Sequence, residues 1–501
     1  MNLFLIVLTI KLEIALISRR QSRYLVKIIS LFLLFSLSKL CPGQDYHYWS
    51  EQFGGEATMM GGAVIASGTD NSMVFYNPGR IGFINSNSIS ISANVYKVQM
   101  TKFRNALGQK NDVGYNRYAF YPQVLARMIP ISKSSQWRLG VGLFTRYNSR
   151  LLFHEKIVTN YDALPSQPGN ELFIGSTDYS NDFNEQWGMV SVAHQLNQSW
   201  SIGLSTIAAY RYQYYRSSSE GLSLVNDASA TLMSLKTSTD LLYVNWRLLW
   251  KFGLAWQQGR WKAGLTITTP TINLYGDADV QSEIVVGGLK ALVPSSQIDN
   301  LIISDRQERK AIHYKHPLSI GFGLSYEAER YKIELATEYF FQISKYHILS
   351  SDPRITIYPA GALPLNDRYL PIVDVLGYNK PLLNISLGTR YKVSNTYSLY
   401  SSLRTDFNNY SNPEYLDDGI NLWGREWDLY HLVIGGSRLK NNDMIHVGVE
   451  ITAGMKSDLR MLSDYNSPVM ANLLFSEAER KMKGTDLGFS LIIGYTYSFS
   501  K

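Results

Sequence analysis

Hydrophobic and polar residues alternate with a period of two along most of the chain after residue 87. Side chains of a β-strand point alternately to its two faces, so this alternation predicts transmembrane strands with one lipid-facing and one lumen-facing side. The pattern is clearest in the segment 487–499, where the residues between those of the apolar side are mostly small or polar. Its apolar side consists of Leu487, Phe489, Leu491, Ile493, Tyr495, Tyr497 and Phe499.

Fourteen segments have this alternation, and an even number suits a closed barrel without free sheet edges. We place them at roughly 87–98, 115–128, 137–149, 187–196, 200–215, 239–256, 261–274, 316–327, 331–346, 382–393, 397–407, 427–438, 443–455 and 487–499.

The connections between the segments alternate in length. Outer-membrane barrels have short periplasmic turns and long extracellular loops in the same alternation. The sequence therefore predicts an all-β protein, a transmembrane antiparallel β-barrel of about 14 strands over residues 87–501, in the bacterial outer membrane. The short connections are 197–199, 257–260, 327–330, 394–396 and 440–443, and the long polar ones are 150–186, 216–238, 275–315, 347–381, 408–426 and 456–486.

Residues 1–43 have the order of a secretory signal peptide. A basic stretch precedes a short apolar run at 28–37, and small or polar residues follow up to Gly43. Two other interpretations stay open: a membrane-anchoring helix, since residues 3–17 are also apolar, and an upstream extension from a misassigned start codon. The basic residues are Arg19, Arg20, Arg23 and Lys27.

Charge and cysteine content narrow the function classes. The net charge is +7, and most of it lies within residues 1–43, so the nearly neutral body argues against a nucleic-acid partner. The single cysteine, Cys41, also falls in this leader, which excludes a disulfide framework and a thiol nucleophile from the body. We find no catalytic, metal-binding or cofactor motif, so we expect no catalytic residue, no metal, no cofactor and no enzymatic activity.

Residues 44–86 lack the alternation and are rich in glycine and small residues, which predicts an N-terminal hatch or plug folded inside the barrel. Its centre has a small-residue stretch, then an acidic residue and a Tyr-Asn-Pro turn, formed by Gly61, Gly62, Ala63, Asp70, Phe75, Tyr76, Asn77, Pro78 and Gly82. With these residues the sequence resembles the FadL/TodX family of outer-membrane transport proteins for hydrophobic compounds, whose N-terminal hatch carries the same motif. The common family form has Ala and then Gly after the proline, whereas this chain has Gly79 and Arg80.

The resemblance implies passive uptake of hydrophobic or amphipathic small molecules such as long-chain fatty acids. It implies capture among the extracellular loops, transfer to a lumen pocket, and release by hatch rearrangement or through a lateral gap in the wall. Gly140 and Gly142 are our candidates for the lateral opening, because glycine weakens strands and permits bulges. Alternatively, the motif around Asn77 is a generic Asn-Pro-Gly turn that leads into the first strand and has no role as a hatch. The hatch candidates are Asp70, Tyr76, Asn77, Pro78 and Gly79.

Four arginines on the predicted lumen face are candidate ligand contacts: Arg146, Arg211, Arg247 and Arg390. A lumen cation can bind the carboxylate of an amphipathic ligand while apolar neighbours hold its tail. The alternative is a structural ladder of paired charges across the lumen. The expected partners are a hydrophobic small-molecule ligand and outer-membrane lipid.

Three other functions stay open at this point. The barrel can be a secretion or docking partner for a surface protein, with a secreted protein as its partner. It can also be an open porin for hydrophilic solutes. The enzyme alternative is a lipase whose catalytic residues are scattered over several strands and carry no sequence motif.

Overall fold

A computed structural model describes most of the chain from His47 onward, so the predicted signal peptide, residues 1–43, lies outside the described residues. No helix within the described part is both long and apolar enough to cross a membrane. The described residues are 47–131, 136–162, 168–226, 230–292, 299–352, 356–359, 373–410, 420, 422, 424–466, 474 and 481–499.

The predicted all-β fold is confirmed: fourteen antiparallel strands form a closed barrel, and each contains or overlaps one predicted segment. They are β1 (Ser88–Arg104), β2 (Val113–Pro130), β3 (Trp137–Tyr161), β4 (Glu171–Gln195), β5 (Trp200–Leu224), β6 (Leu232–Gln258), β7 (Trp261–Thr268), β10 (Ser319–Glu327), β11 (Tyr331–Phe340), β15 (Leu382–Lys392), β16 (Tyr397–Asp406), β17 (Leu429–Lys440), β18 (Asp443–Arg460) and β19 (Lys481–Ser498).

The ring closes because β1 pairs with β2 on one side and with β19 on the other. Five further strands lie above the ring, on the side away from the short turns. Three of them, β8 (Ile272–Gly287), β9 (Leu301–Ala311) and β13 (Thr356–Tyr358), extend the sheet from the upper half of β6. The remaining two, β12 (Ile343–Leu349) and β14 (Val375–Asn379), pair with each other. A short helix, α3 (Leu289–Leu292), follows β8 and is numbered after the two N-terminal helices described below.

Exposed and buried side chains alternate along the strands as the predicted lipid-facing and lumen-facing sides require. On β19, Leu487 and Phe489 are exposed on the outside, whereas Gly488 and Ser490 between them are buried. The outward apolar residues form a belt around the ring, as the lipid-facing surface of an outer-membrane barrel requires. The chain is an outer-membrane β-barrel.

The predicted long loops are partly wrong, because several strands continue far above the belt. Both β3 and β4 have 25 residues, and their pairing runs up to Tyr161 and Glu171. Strands of this length reach about 80 Å, whereas about 10 residues are enough to cross a membrane. Above the belt the outer face carries polar residues such as Arg150 and His154, while apolar residues such as Leu151 pack inward, so the lipid-facing apolar side that reveals a membrane strand ends although the ladder continues.

The segment from His47 to Ser86 lies inside the ring. It contains α1 (Gly55–Met59), α2 (Met73–Tyr76) and a 3₁₀ helix (Pro78–Phe83), and nearly all of it is buried. It forms hydrogen bonds with strands on every side of the ring. The partners include Ser92 of β1, Ala126 of β2, Leu254 of β6, Glu334 of β11, Ser386 of β15 and Arg404 of β16.

Candidate transport path

The Asn77-Pro78-Gly79 turn rests on the wall formed by β5, β6 and β7. The Asn77 side chain donates to the carbonyl oxygen of Ile65 at 2.8 Å and to that of Leu254, on β6, at 3.1 Å. Its Oδ1 accepts from the amide of Gly79 at 2.9 Å and so caps the 3₁₀ helix that Pro78 begins. One side chain therefore joins the turn, the preceding loop and the barrel wall.

Glycines allow this turn to lie directly against the wall. A Cβ atom on Gly79 would come within 2.7 Å of the carbonyl oxygen of Gly253. Three inward-facing glycines on adjacent strands meet the turn and the loop before it in the same way. The distance from an added Cβ would be 2.3 Å at Gly203 to Pro78 O, 2.2 Å at Gly253 to Asn77 Oδ1, and 2.2 Å at Gly264 to Ile65 O.

The departure from the family motif after the proline has a structural explanation. Gly79 lies at the point of closest approach to the wall. Arg80 is buried, and its guanidinium donates to the carbonyl oxygen of Gly68 at 3.2 Å and to Gln257 Oε1 at 2.7 Å. The arginine therefore holds the 3₁₀ helix to both the preceding loop and β6.

Asp70 and Tyr76 organise the inside of the segment. The Asp70 carboxylate accepts from the amides of Glu56 at 3.2 Å and Ser72 at 3.0 Å, which joins α1 to the start of α2. The Tyr76 hydroxyl accepts from the amide of Phe53 at 2.9 Å and donates to Gln52 Oε1 at 2.8 Å. Both side chains fix the fold of the segment, and their role in transport stays a prediction.

Ion pairs tie the segment to the rest of the ring. Glu51 pairs with Lys97 of β1 at 2.6 Å. Glu56 pairs with Lys332 of β11 at 3.0 Å and with Arg390 of β15 at 3.2 Å. Buried pairs of this kind leave an uncompensated charge if one partner is removed, so they favour one seating of the segment.

The four arginines proposed as ligand contacts lie in different settings. Arg390 also pairs with Glu327, and Arg211 and Arg247 share Glu185 at 3.2 and 2.6 Å. Each of these three cations therefore has a carboxylate partner, and Arg211 and Glu185 lie opposite each other on the neighbouring strands β5 and β4. The fourth, Arg146, donates to the carbonyl oxygen of Tyr48, and its guanidinium lies over Phe75, Tyr147 and Trp187. A direct role in ligand binding stays a prediction for all four.

Two small cavities lie beside the segment. The first, of about 60 Å³, has a mixed lining, in which Leu151, Phe183 and Leu429 lie beside polar residues. These polar residues include Glu51, Lys97, Asn148, Arg425 and His431. The second, of about 30 Å³, combines aromatic side chains with two cations. Its lining includes Tyr48, Phe75, Trp187, Phe340, Arg146 and Lys251.

The wall between β2 and β3 is open in its upper part. The two strands pair only from Val124 opposite Phe144 down to Pro130 opposite Arg138. Above that point, residues 113–121 of β2 pair only with β1, and β3 pairs only with β4. We call this interruption the β2–β3 gap.

Pro122 lies where the gap begins. Proline has no backbone N–H and is confined to strand edges and bulges. The pairing of β2 with β1 also shifts register beside this residue. Our reading of the sequence missed Pro122, although a proline inside an alternating segment is a visible signal of a broken ladder.

Side chains bridge the gap where the backbone does not. The Arg117 guanidinium of β2 donates to the carbonyl oxygen of Asn148 on β3 at 2.8 Å and also to the Asn148 side chain. Lower down, Thr145 Oγ1 donates to the carbonyl oxygen of Pro122 at 2.7 Å. Because Tyr147, Asn148 and Ser149 line the first cavity, that cavity lies directly behind the gap.

Gly140 and Gly142 lie below the gap in regular ladder. Gly140 pairs with Met128 of β2 and Ser191 of β4. A Cβ on Gly140 would lie 2.6 Å from Val74 Cγ2, so this glycine makes room for the N-terminal segment. Their role in a lateral opening stays a prediction, and the ladder itself breaks above them.

No cluster of three or more His, Cys, Asp or Glu side chains suited to a metal occurs within the described ranges.

Solved structures match the whole barrel. A Pseudomonas aeruginosa FadL homologue matches with a TM-score of 0.54 and 12% identity, over 91% of this chain and 100% of its own. The Pseudomonas putida toluene transporter TodX matches with a TM-score of 0.54 and 13% identity, over 90% of this chain and 99% of its own. The Ralstonia pickettii toluene transporter TbuX matches with a TM-score of 0.50 and 12% identity, over 90% and 99%.

No model of a protein family and no curated protein matches the chain. At these sequence identities the likeness establishes a shared fold.

Proposed function

We propose that the protein is a channel for passive uptake of hydrophobic or amphipathic small molecules, such as long-chain fatty acids, across the outer membrane. The observation that carries the proposal is the β2–β3 gap with a cavity directly behind it. The shared fold with two toluene transporters and a FadL homologue supports the same class of solute.

In this proposal, residues 44–86 are the hatch that blocks a straight aqueous path. Contacts of the segment with strands on every side oppose an open pore for hydrophilic solutes. Asn77, Pro78 and Gly79 fix the hatch to the β5–β7 wall, while Asp70 and Tyr76 hold its internal fold.

A ligand then leaves sideways. Apolar groups are more stable in lipid than in water, so a hydrophobic solute in the lumen moves into the membrane wherever the wall allows it. The gap offers such an exit because no backbone hydrogen bonds have to break there. Opening it requires the Arg117–Asn148 contact to separate. The hatch stays seated during this step, which distinguishes the lateral route from release by hatch rearrangement.

The second cavity suits the polar end of an amphipathic ligand. Arg146 and Lys251 lie among aromatic rings, with the Lys251 ammonium 4.9 Å from the centre of Phe75. A carboxylate can bind such cations while an apolar tail packs on the rings. We therefore favour Arg146 over Arg211, Arg247 and Arg390 as a ligand contact.

A cross-link across the gap tests the lateral route. Cysteines at Arg117 and Asn148, joined by a short cleavable dithiol-reactive linker, should abolish uptake of a labelled fatty acid into liposomes or cells, and cleavage should restore it. The control pair is Ile202 and Leu254, which lie opposite each other on β5 and β6 where the ladder is intact. Undiminished uptake in the linked 117–148 barrel would refute the lateral route.

A docking function is the second candidate, because the strands β3 to β6 rise far above the belt as a continuous sheet of 25 to 27 residues per strand. Such a sheet offers a secreted protein a large polar surface. One protein should then co-purify with the barrel. Docking would be supported as an additional function if shortening the paired upper hairpins abolishes this co-purification while fatty-acid uptake persists.

A further inference from the structure

The outer surface of β19 and β1 changes abruptly from apolar to basic at one level. On β1 the exposed side chains Tyr96 and Met100 are followed by Lys102 and Arg104. On β19 the exposed Leu487 is followed, after Thr485, by Lys483 and Lys481. The cations therefore lie just above the belt, at the level where lipid headgroups meet the barrel. We call Lys102, Arg104, Lys481 and Lys483 the basic rim.

The basic rim carries like charges opposite each other. Arg104 of β1 and Lys483 of β19 are direct cross-strand partners, and the buried Phe103, Met482 and Gly484 beside them show that both face outward. Like charges in such a position destabilise a sheet unless an anion lies between them. One carboxylate neutralises one cation: Asp112 pairs with Lys102 at 2.9 Å.

The remaining three cations, Arg104, Lys481 and Lys483, form no ion pair within the described residues. Asp458, which is exposed on the neighbouring strand β18, forms none either.

The wall that begins two strands from β1, from β3 to β8, lacks such an excess. On β3 to β8 most outward charges above the belt have a carboxylate partner on another strand, and the exposed Lys156 of β3 is a cation without an ion pair among the described residues. The pairs are Arg150 with Asp182 at 3.6 Å, His154 with Asp178, Arg216 with Asp240 at 3.7 Å, and Lys236 with Glu283 at 3.9 Å. Of the two walls compared, the one around β1 and β19 therefore carries the cluster of unpaired positive charge.

We propose that the basic rim binds the phosphate groups of an anionic lipid of the outer leaflet. Position favours a lipid over a free anion, because the belt directly below the cations holds acyl chains while the cations meet the headgroup. Arginine and lysine are suited to phosphate, and arginine can bind it through two parallel hydrogen bonds. This inference is independent of the transport function, since the rim lies outside the lumen.

Native mass spectrometry of the full chain in neutral detergent tests the proposal. The probes are a diphosphorylated glycolipid, the same glycolipid after removal of its phosphates, and inorganic phosphate as a competitor. The variant Arg104→Gln with Lys483→Gln should bind the phosphorylated lipid about tenfold or more weakly. The control, Arg150→Gln with Arg216→Gln, removes the same charge from the balanced wall and should bind like the original protein.

The outcomes separate the possible ligands. Loss of binding in the rim variant alone, together with no binding of the dephosphorylated lipid, supports the proposal. Equal binding by both variants, or of both lipids, overturns it. Displacement of the lipid by inorganic phosphate at comparable concentration also overturns it, in favour of a free-anion site. If the first variant does not insert, Lys481→Gln with Lys483→Gln tests the same rim.

Discussion

The β5–β7 wall and the β2–β3 wall of the same barrel are built in opposite ways. At β5–β7 the ladder of the lower barrel is continuous, and the Asn77-Pro78-Gly79 turn lies directly against it. Gly79 of the turn contacts Gly253 of β6. At β2–β3 the ladder stops at Val124 and Phe144, and side chains span the rest.

The difference lies in what has to break for each wall to move. Displacing the hatch from β5–β7 disrupts backbone contacts and the buried Asn77 hydrogen bonds, which have no replacement in an apolar setting. Opening β2–β3 separates a few side-chain contacts that water or lipid headgroups can replace. One wall therefore holds the N-terminal segment, and in our proposal the other is the part of the barrel that yields.

The largest effect should come from adding one carbon to the anchoring wall. Gly253→Ala places a Cβ 2.2 Å from Asn77 Oδ1, so the turn must shift, and we expect a loss of about 1–3 kcal/mol in the free energy of unfolding. Urea unfolding in liposomes measures it. Gly188→Ala is the control, because its Cβ meets no atom closer than 3.7 Å. Equal stability of the two variants would show that the turn is not anchored there.

The yielding wall should become stiffer when its proline is removed. Pro122→Val restores a backbone N–H, so the β2–β3 ladder can extend upward, and we expect fatty-acid uptake to fall several-fold. Amide hydrogen exchange should slow at the strand positions beside residue 122. Pro270→Val, in the connection between β7 and β8, is the control for the same change elsewhere. If amide exchange slows but fatty-acid uptake stays unchanged, the β2–β3 gap is not part of the transport path.

Loosening the same wall should have a smaller and opposite effect. Arg117→Ala removes hydrogen bonds from a charged donor, which contribute about 1.5–3 kcal/mol in total, so the gap opens more readily and uptake should rise about two- to threefold, until another step limits the rate. Initial uptake rates at equal barrel density measure it. Arg150→Ala, on β3 above the belt and paired with Asp182 of β4, is the matched control. A decrease in uptake would assign Arg117 to ligand binding instead of gap closure.

The smallest effect concerns pH and the segment that covers the first cavity. Burial raises the pKa of Glu426 to about 7, and Lys456 at 3.8 Å offsets this in part. Glu426 lies 14 residues above the short turn after β17, beyond the belt, and its neighbour Arg425 donates to Ser149 of β3 at 2.7 Å.

The native state therefore binds this proton more tightly than the unfolded chain does, so the stabilisation is complete below about pH 4.5 and is lost as the pH rises through about 7. Protection of the amides 424–429 against hydrogen exchange, corrected for the base-catalysed rise of the intrinsic rate, should fall between pH 6 and pH 8. Glu426→Gln should remove this fall in protection. If the variant shows the same pH dependence, the titrating group is a residue other than Glu426.

The sequence by itself determined the barrel. A period of two is enough to find fourteen strands because each strand crosses one apolar layer, where lipid on one side and lumen on the other impose opposite polarity on alternate residues. The resemblance around Asn77 and Pro78 likewise pointed to the hatch, because a turn built from Asn, Pro and Gly leaves a local signature.

Only the tertiary structure revealed between which strands the ladder is interrupted and which charges form pairs. A gap is the absence of pairing between two strands, and neither Gly140 nor Gly142 has local chemistry that reports it. Arg211, Arg247 and Arg390 look alike in the sequence as free lumen cations, yet all three form ion pairs. Arg247 and Arg390 pair with Glu185 and Glu327, which do not lie opposite them in the preceding hairpin, whereas Arg211 pairs with Glu185 on the neighbouring strand. The basic rim is invisible for the same reason, since Arg104 and Lys483 become neighbours only when the last strand closes the ring against the first.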